Sequence, residues 1–264
     1  YELIEKQFGA RKYDQGPAWV PKRSNLSLPL NFHFCYEPPL RYRESYYPAS
    51  ADSEYLDWHH LHRFEDLWGL WGHSFFKIIP PEKYFRQHPE FFAFTNGKRS
   101  ATQLCLTNQG VQKIALDYFR RAIADHPDAV YWSIAPMDGR GGCTCDRCRK
   151  VDQEEGGPQG TLIRFVNGVA AQFPDKYFTT LAYGYTAEAP KITRPSSNVY
   201  VMLSTIDATR ERGLGDNPTA ASFRRQLNDW SKISSNIFVW DYTTQFTAYL
   251  SPFPMYDHYQ GNIA

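Results

Sequence analysis

Short runs rich in β-branched and aromatic residues alternate with helix-length amphipathic segments along most of the chain, and this alternation restricts the fold more than any other feature. The strand-like runs are 41–47, 67–75, 102–108, 129–136, 177–185, 198–205 and 236–242, bounded by Gly, Pro, Asn or Asp. Residues 53–67, 108–126, 161–173 and 221–233 read as helices between them. In 108–126, Val111, Ile114, Ala115, Tyr118, Phe119, Ala122 and Ile123 fall on one helical stripe. Residues 88–106 also read as a hairpin turned at Asn96-Gly97. Strands alternating with helices predict βαβ units and a parallel sheet. Seven strands are one short of the eight that close a (β/α)8 barrel of roughly 250 residues. The expected fold is therefore α/β, a TIM-like barrel truncated before its last strand. A doubly wound sheet is the rival, but no Gly-rich phosphate turn follows any strand.

Residues 1–25 differ in texture. YELIEKQFG reads as a helix closed by Gly9, and ARKYDQGPAWVP is turn-rich. This stretch is expected to end a preceding N-terminal domain and linker, leaving 26–264 as the barrel. Apolar residues make up 42% of the chain and charged residues 22%, enough to bury a core. A net charge of +1 argues against a general electrostatic grip on nucleic acid or anionic membrane. No apolar run reaches the roughly 18 residues of a membrane span.

In a barrel the chemistry sits where strands end. The first strand offers Arg41, Arg43 and Glu44, the second ends in His73, and the fourth runs into Asp138. The fifth ends in Tyr183 and Tyr185, the sixth runs to Asp207 with Arg210 beyond, and the seventh ends in Trp240, Asp241 and Tyr242. Asp138, Asp207 and Asp241 at one mouth suit glycoside hydrolysis, where one carboxyl protonates the leaving oxygen and another activates water or attacks. Taken singly, each is equally a helix cap or turn former. Arg41 and Arg43 share a strand face and form a fork for a carboxylate or hydroxyl pair, or a structural ion pair with Glu37 or Glu44. The 16% aromatic content suits sugar stacking, with Trp68, Trp71, Trp240, Tyr183 and Tyr185 as candidate platforms, and suits core packing equally.

CTCDRC places Cys143, Cys145 and Cys148 at C-x-C-x-x-C spacing, and Cys105 is expected nearby as a fourth ligand. Four thiolates would hold a structural zinc. Disulfides are the alternative in an oxidising compartment. Either would pin the loop that carries Asp138. A zinc-dependent hydrolase would require this cluster to face the cleft.

The runs HPEFFAFTNGKR, QLCLTN, MDGRGGCTCDRC, GTLIRFVN, TLAYGYT, NVYVML, VWDYTTQF and SPFP resemble the bacterial family called domain of unknown function 4838, over essentially the whole chain. That family resembles the α-glucuronidases of glycoside hydrolase family 67, which join an N-terminal domain to a (β/α)8 barrel. Their general acid is a Glu after strand 4, where Asp138 stands here. Their water-activating carboxylates follow strands 6 and 7, where Asp207 and Asp241 stand. The resemblance implies a secreted, periplasmic or cell-surface protein. It would cleave a complex, uronic-acid-containing oligosaccharide or polysaccharide without a catalytic cofactor, with a family Glu on the eighth strand as a further candidate. The alternative is a non-catalytic carbohydrate-binding barrel.

Overall fold

A computed structural model describes residues 1–35, 37, 40, 42–45, 47–63, 67–139, 141–244, 247–248 and 251–263. The chain divides into two compact units, Tyr1–Trp68 and Gly69–Ala264.

The first unit contains helices α1 (Glu2–Phe8) and α2 (Ser53–Trp58). Gly9 closes α1 at φ 80°, in the left-handed region that favours glycine, as the sequence predicts. Asp52 caps α2 by accepting the Tyr55 N–H at 2.8 Å. The helix expected over 53–67 stops at Trp58, because His60 adopts φ 54° and breaks the ladder. Lys12 is buried, and its ammonium donates to Glu54 at 2.8 Å and to the Gly16 carbonyl at 2.8 Å, with Asp52 at 3.2 Å. The strand expected at 41–47 does not form in its described residues. The ring of Tyr42 stacks on His62 at 5.2 Å, and its hydroxyl accepts the Trp68 indole N–H at 2.9 Å. Side-chain pairing has won over a ladder in a run with few apolar residues to bury. Arg41 lies outside the described residues.

The second unit is built on a five-stranded sheet ordered β1 (Trp68–Leu70), β4 (Tyr131–Ser133), β5 (Tyr177–Ala182), β6 (Val199–Ser204) and β7 (Ile237–Trp240). Strands β4 to β7 are parallel, with Ser133 opposite Thr179, Leu181 opposite Met202 and Ser204 opposite Trp240. The strands join in chain order, without the reversal of a doubly wound sheet. Strands β2 (Phe92–Thr95) and β3 (Lys98–Leu104) form a separate antiparallel hairpin. Asn96 and Gly97 turn it at φ 50° and 75°, the two positive values that an Asn-Gly turn supplies. The run 102–108 thus lies in β3 only as far as Leu104 and, among the described residues, is paired with β2 rather than with the parallel sheet.

Side chains of the sheet alternate between two faces. Trp132, Phe178 and Val199 share a core with Ala115 and Phe119 of α5 (Gln109–Asp125) and with Val166 and Val169 of α7 (Pro158–Ala170). Val201 and Leu203 pack with Phe223 and Trp230 of α8 (Ala221–Ser231). The opposite face carries Tyr131, Tyr177, Tyr200 and Phe238. Tyr131 and Phe238 lie 5.5 Å apart by ring centroids. A flat sheet would hold β4 and β7 about 14 Å apart, three ladder spacings. The sheet therefore curls around this aromatic face.

Shorter helices α3 (Phe75–Ile78), α4 (Pro81–Tyr84) and α9 (Tyr256–Ile263) and the ten-residue α6 (Asp146–Glu155) complete the described helices of this unit. Glu155 is fully buried and accepts Arg164 Nε at 2.8 Å and the Ile192 and Thr193 N–H groups at 3.1 and 3.0 Å. Burial pushes its pKa up, but the bonds from Thr193, Arg164 and Ile192 outweigh burial and hold it below the usual range. Among the described residues no helix is long and apolar enough to cross a membrane.

Two outcomes follow from this packing. An ideal Cβ on Gly69 would stand 2.2 Å from the Trp132 ring, so Gly69→Ala should lower the unfolding free energy by about 1–3 kcal/mol in urea titrations. The stabilisation from Glu155 is present above its unfolded pKa near 4.3 and fades as pH falls through the lower folded value. Glu155→Gln should accordingly flatten the acid side of the stability-versus-pH curve.

Candidate functional site

The curl of the sheet brings strand ends together. Trp71, just past β1, and Trp240, at the end of β7, come from opposite edges of the sheet, yet their rings are 5.4 Å apart. Tyr242 continues this row, nearly parallel to Trp240 at 6.4 Å. All three are half-buried, so their faces combine rigid packing with access to solvent.

The ends of β4 and β5 supply the next pieces. His73 Nδ1 lies 2.5 Å from the Pro136 carbonyl, which can only accept, so Nδ1 carries hydrogen and donates it there. The His73 and Tyr183 rings are 6.0 Å apart. Tyr183 donates its hydroxyl to Asp138 Oδ1 at 3.3 Å. Burial pushes the Tyr183 phenol up, and Asp138, Tyr242 and Asp207 add to that shift. Burial also raises the Tyr242 phenol, against lowering by Ser204 and Arg210, with Asp138 and Asp207 again pushing upward. Both phenols thus feel both carboxylates, which puts Asp138, Asp207, Tyr183 and Tyr242 in one electrostatic neighbourhood. Asp138 and Asp207 are exposed.

Asp241 is differently placed. It accepts the Thr205 hydroxyl at 2.5 Å and has Arg210 Nη2 at 3.6 Å. Arg210 is buried; it donates to the Thr205 carbonyl at 2.8 Å, the Thr205 hydroxyl at 2.9 Å, the Tyr242 carbonyl at 3.4 Å and the Ala208 carbonyl. One guanidinium therefore braces the turn that carries Asp207 against the end of β7, and it balances the charge of Asp241. Sequence reading found Arg210 at a strand end but not this bracing role. Its signal was an arginine three residues past an aspartate in a turn.

Arg43 and Trp68 belong to the first unit, where the Arg43 N–H donates to His62 Nδ1 at 3.1 Å. Tyr185 occupies a 3₁₀ turn, Gly184–Thr186, with its ring 3.0 Å from where a Cβ on Gly142 would sit. Burial and the charge of Asp152 push its phenol up. Tyr185 thus backs the loop after Asp138.

The cysteines converge. The sulfurs of Cys105, Cys143, Cys145 and Cys148 lie within 4.8 Å of one another, with Cys105 at 3.7 Å from Cys145 and 3.8 Å from Cys148. All are free thiols, and a disulfide would hold its sulfurs at about 2 Å. Four sulfurs around a metal at about 2.3 Å form a tetrahedron with edges of about 3.8 Å. The cluster can therefore hold a metal ion. The Phe94 N–H donates to Cys143 Sγ at 3.3 Å, and the Thr107 hydroxyl lies 3.1 Å from Cys148 Sγ. Hydrogen bonds from Cys143 and Cys148 pull the Cys105 thiol down, while that thiolate pushes Cys143 up to about 11 and raises Cys148. Metal capture by all four must release protons, so affinity falls as pH falls.

A family model described as "Domain of unknown function (DUF4838)" matches residues 13–264. No curated protein matches the chain.

The Asp138–Tyr183 contact makes a direct prediction. A negative carboxylate beside a phenol opposes its ionisation, so Asp138→Asn should move the Tyr183 titration down toward its ordinary value. Carbon-13 tyrosine spectra, with Tyr183→Phe for assignment, would show the shift.

Proposed function

We propose that the chain, a member of the DUF4838 family, is a glycoside hydrolase-like protein whose curled sheet is the greater part of a (β/α) barrel. One arrangement carries the reading: exposed Asp138 accepts the Tyr183 hydroxyl, exposed Asp207 follows Ser204, whose hydroxyl contacts that of Tyr242, and both sit at strand ends beside a row of three aromatic rings. Carboxylates paired across a cleft are what glycosidic cleavage needs, and aromatic faces are what sugar rings stack on. Chain-order winding and the meeting of the two sheet edges support the barrel.

In this reading Asp138 protonates the leaving oxygen and Asp207 activates water or attacks the anomeric carbon. Asp241, balanced by Arg210, shapes the mouth. His73 and Tyr183 orient hydroxyls, and Trp71, Trp240 and Tyr242 hold the sugar faces. The substrate in this reading is a complex, uronate-bearing glycan. A polymeric substrate of this kind places the protein outside the cytoplasm, secreted, periplasmic or on the cell surface. The four thiolates hold a structural zinc. An all-cysteine set of four leaves no open position for water, so the metal takes no part in the reaction.

Two measurements test this. Elemental analysis should find about one zinc per chain, lost in Cys145→Ser together with stability. A glycan-release screen should find a substrate whose turnover falls by about 10²–10⁴-fold in Asp138→Asn with the fold intact. Binding without turnover in the unaltered chain would instead support a non-catalytic carbohydrate-binding barrel.

A further inference from the structure

Gln103 lies on β3 and is 1% exposed. Its Nε2 donates to the Met137 carbonyl at 2.7 Å, and its Oε1 accepts the Met137 N–H at 2.9 Å. The side-chain amide thus pairs with one residue's backbone as a strand would, directly before Asp138. Both polar ends of this buried amide are satisfied by Met137, and both Met137 backbone groups are satisfied by the amide.

The same hairpin grips the far end of the loop. The Phe94 carbonyl of β2 accepts the Thr144 N–H at 2.9 Å and the Thr144 hydroxyl at 2.7 Å. The Phe94 N–H donates to Cys143, and Cys105, next after β3, joins Cys143, Cys145 and Cys148. Loop 137–145 is therefore fastened at its start by Gln103 and at its finish by the sulfur cluster.

We propose that Gln103 is the positioning residue for Asp138. It fixes the preceding peptide so that the carboxylate stays within reach of the Tyr183 hydroxyl, and the hairpin with its sulfur cluster is the rigid frame from which it acts. The functional consequence rests on the glycosidase reading, but the positioning is measurable without a substrate.

The test uses the full chain as purified, with Gln103→Leu and Gln103→Met as two substitutions of similar volume that remove both bonds. Hydrogen exchange at the Met137 amide should speed up by about two- to tenfold, the worth of one lost hydrogen bond. Thr144 protection and metal content should stay unchanged. The Tyr183 titration should move down toward its ordinary value as Asp138 drifts away. With a substrate in hand, kcat should fall while KM holds. Unchanged Met137 exchange and Tyr183 titration in a folded variant would overturn the proposal. Equal loss of protection at Thr144 would also overturn it, because Gln103 would then be holding the whole hairpin rather than Asp138. Should no glycan be bound, the exchange and titration results still decide where Asp138 is held.

Discussion

Rings from strands three ladders apart touch on one face of the parallel sheet, and the rest of the site depends on that contact. Tyr131 reaches Phe238 at 5.5 Å and Tyr200 at 5.7 Å, so β4 to β7 wrap an aromatic layer. Higher up, the same curvature sets Trp71 against Trp240. In a flat sheet these edges would be about 19 Å apart, four ladder spacings, and the residues after the strands would face separate patches of solvent. Curling makes one mouth of them. The outer face accommodates the bend through close packing, including Gly69, where a side chain would collide with Trp132.

Three braces then hold the mouth. Arg210 ties the turn at Asp207 to the end of β7 through backbone carbonyls. Gln103 ties the peptide before Asp138 to the hairpin. The four sulfurs tie that hairpin to the loop beyond Asp138 and to α6. Each brace uses a buried polar or soft group whose bonds are satisfied, which makes it rigid and makes loss of one partner costly. Asp138 and Asp207 remain exposed on these fixed supports, an arrangement that suits groups acting on a ligand rather than on the protein.

Much of this was legible in the sequence. All five strands of the sheet, the helices at 109–125, 158–170 and 221–231, the Asn96-Gly97 turn and the gathering of Cys105 with CTCDRC follow from period, punctuation and spacing, which are local signals. The strand expected at 41–47 does not form in its described residues, where Tyr42 pairs with His62 and Trp68 and the Arg43 N–H donates to His62. Helix α6 was missed because DRCRKVDQEE has almost no apolar stripe; its Cys148 and Glu155 are buried through sulfur and ion-pair contacts that no hydropathy pattern reports. The braces were missed for a related reason. Gln103 bonds the Met137 peptide and Arg210 reaches the Tyr242 carbonyl, both far along the chain, and a residue's type says little about which distant peptide it will bond. The three aspartates at strand ends were visible as a set. That Asp241 is paired with Arg210 while Asp138 and Asp207 are exposed needed the folded chain.

The central claim is that the curled strand ends form a single glycan cleft between Asp138 and Asp207. The most direct measurement is a crystal structure of the Asp138→Asn variant soaked with oligosaccharides from the release screen. The account predicts a sugar ring stacked on Trp240 or Trp71, with a glycosidic oxygen between position 138 and Asp207. A glycan bound elsewhere on the chain, with Asp207 and the aromatic row left untouched, would contradict it.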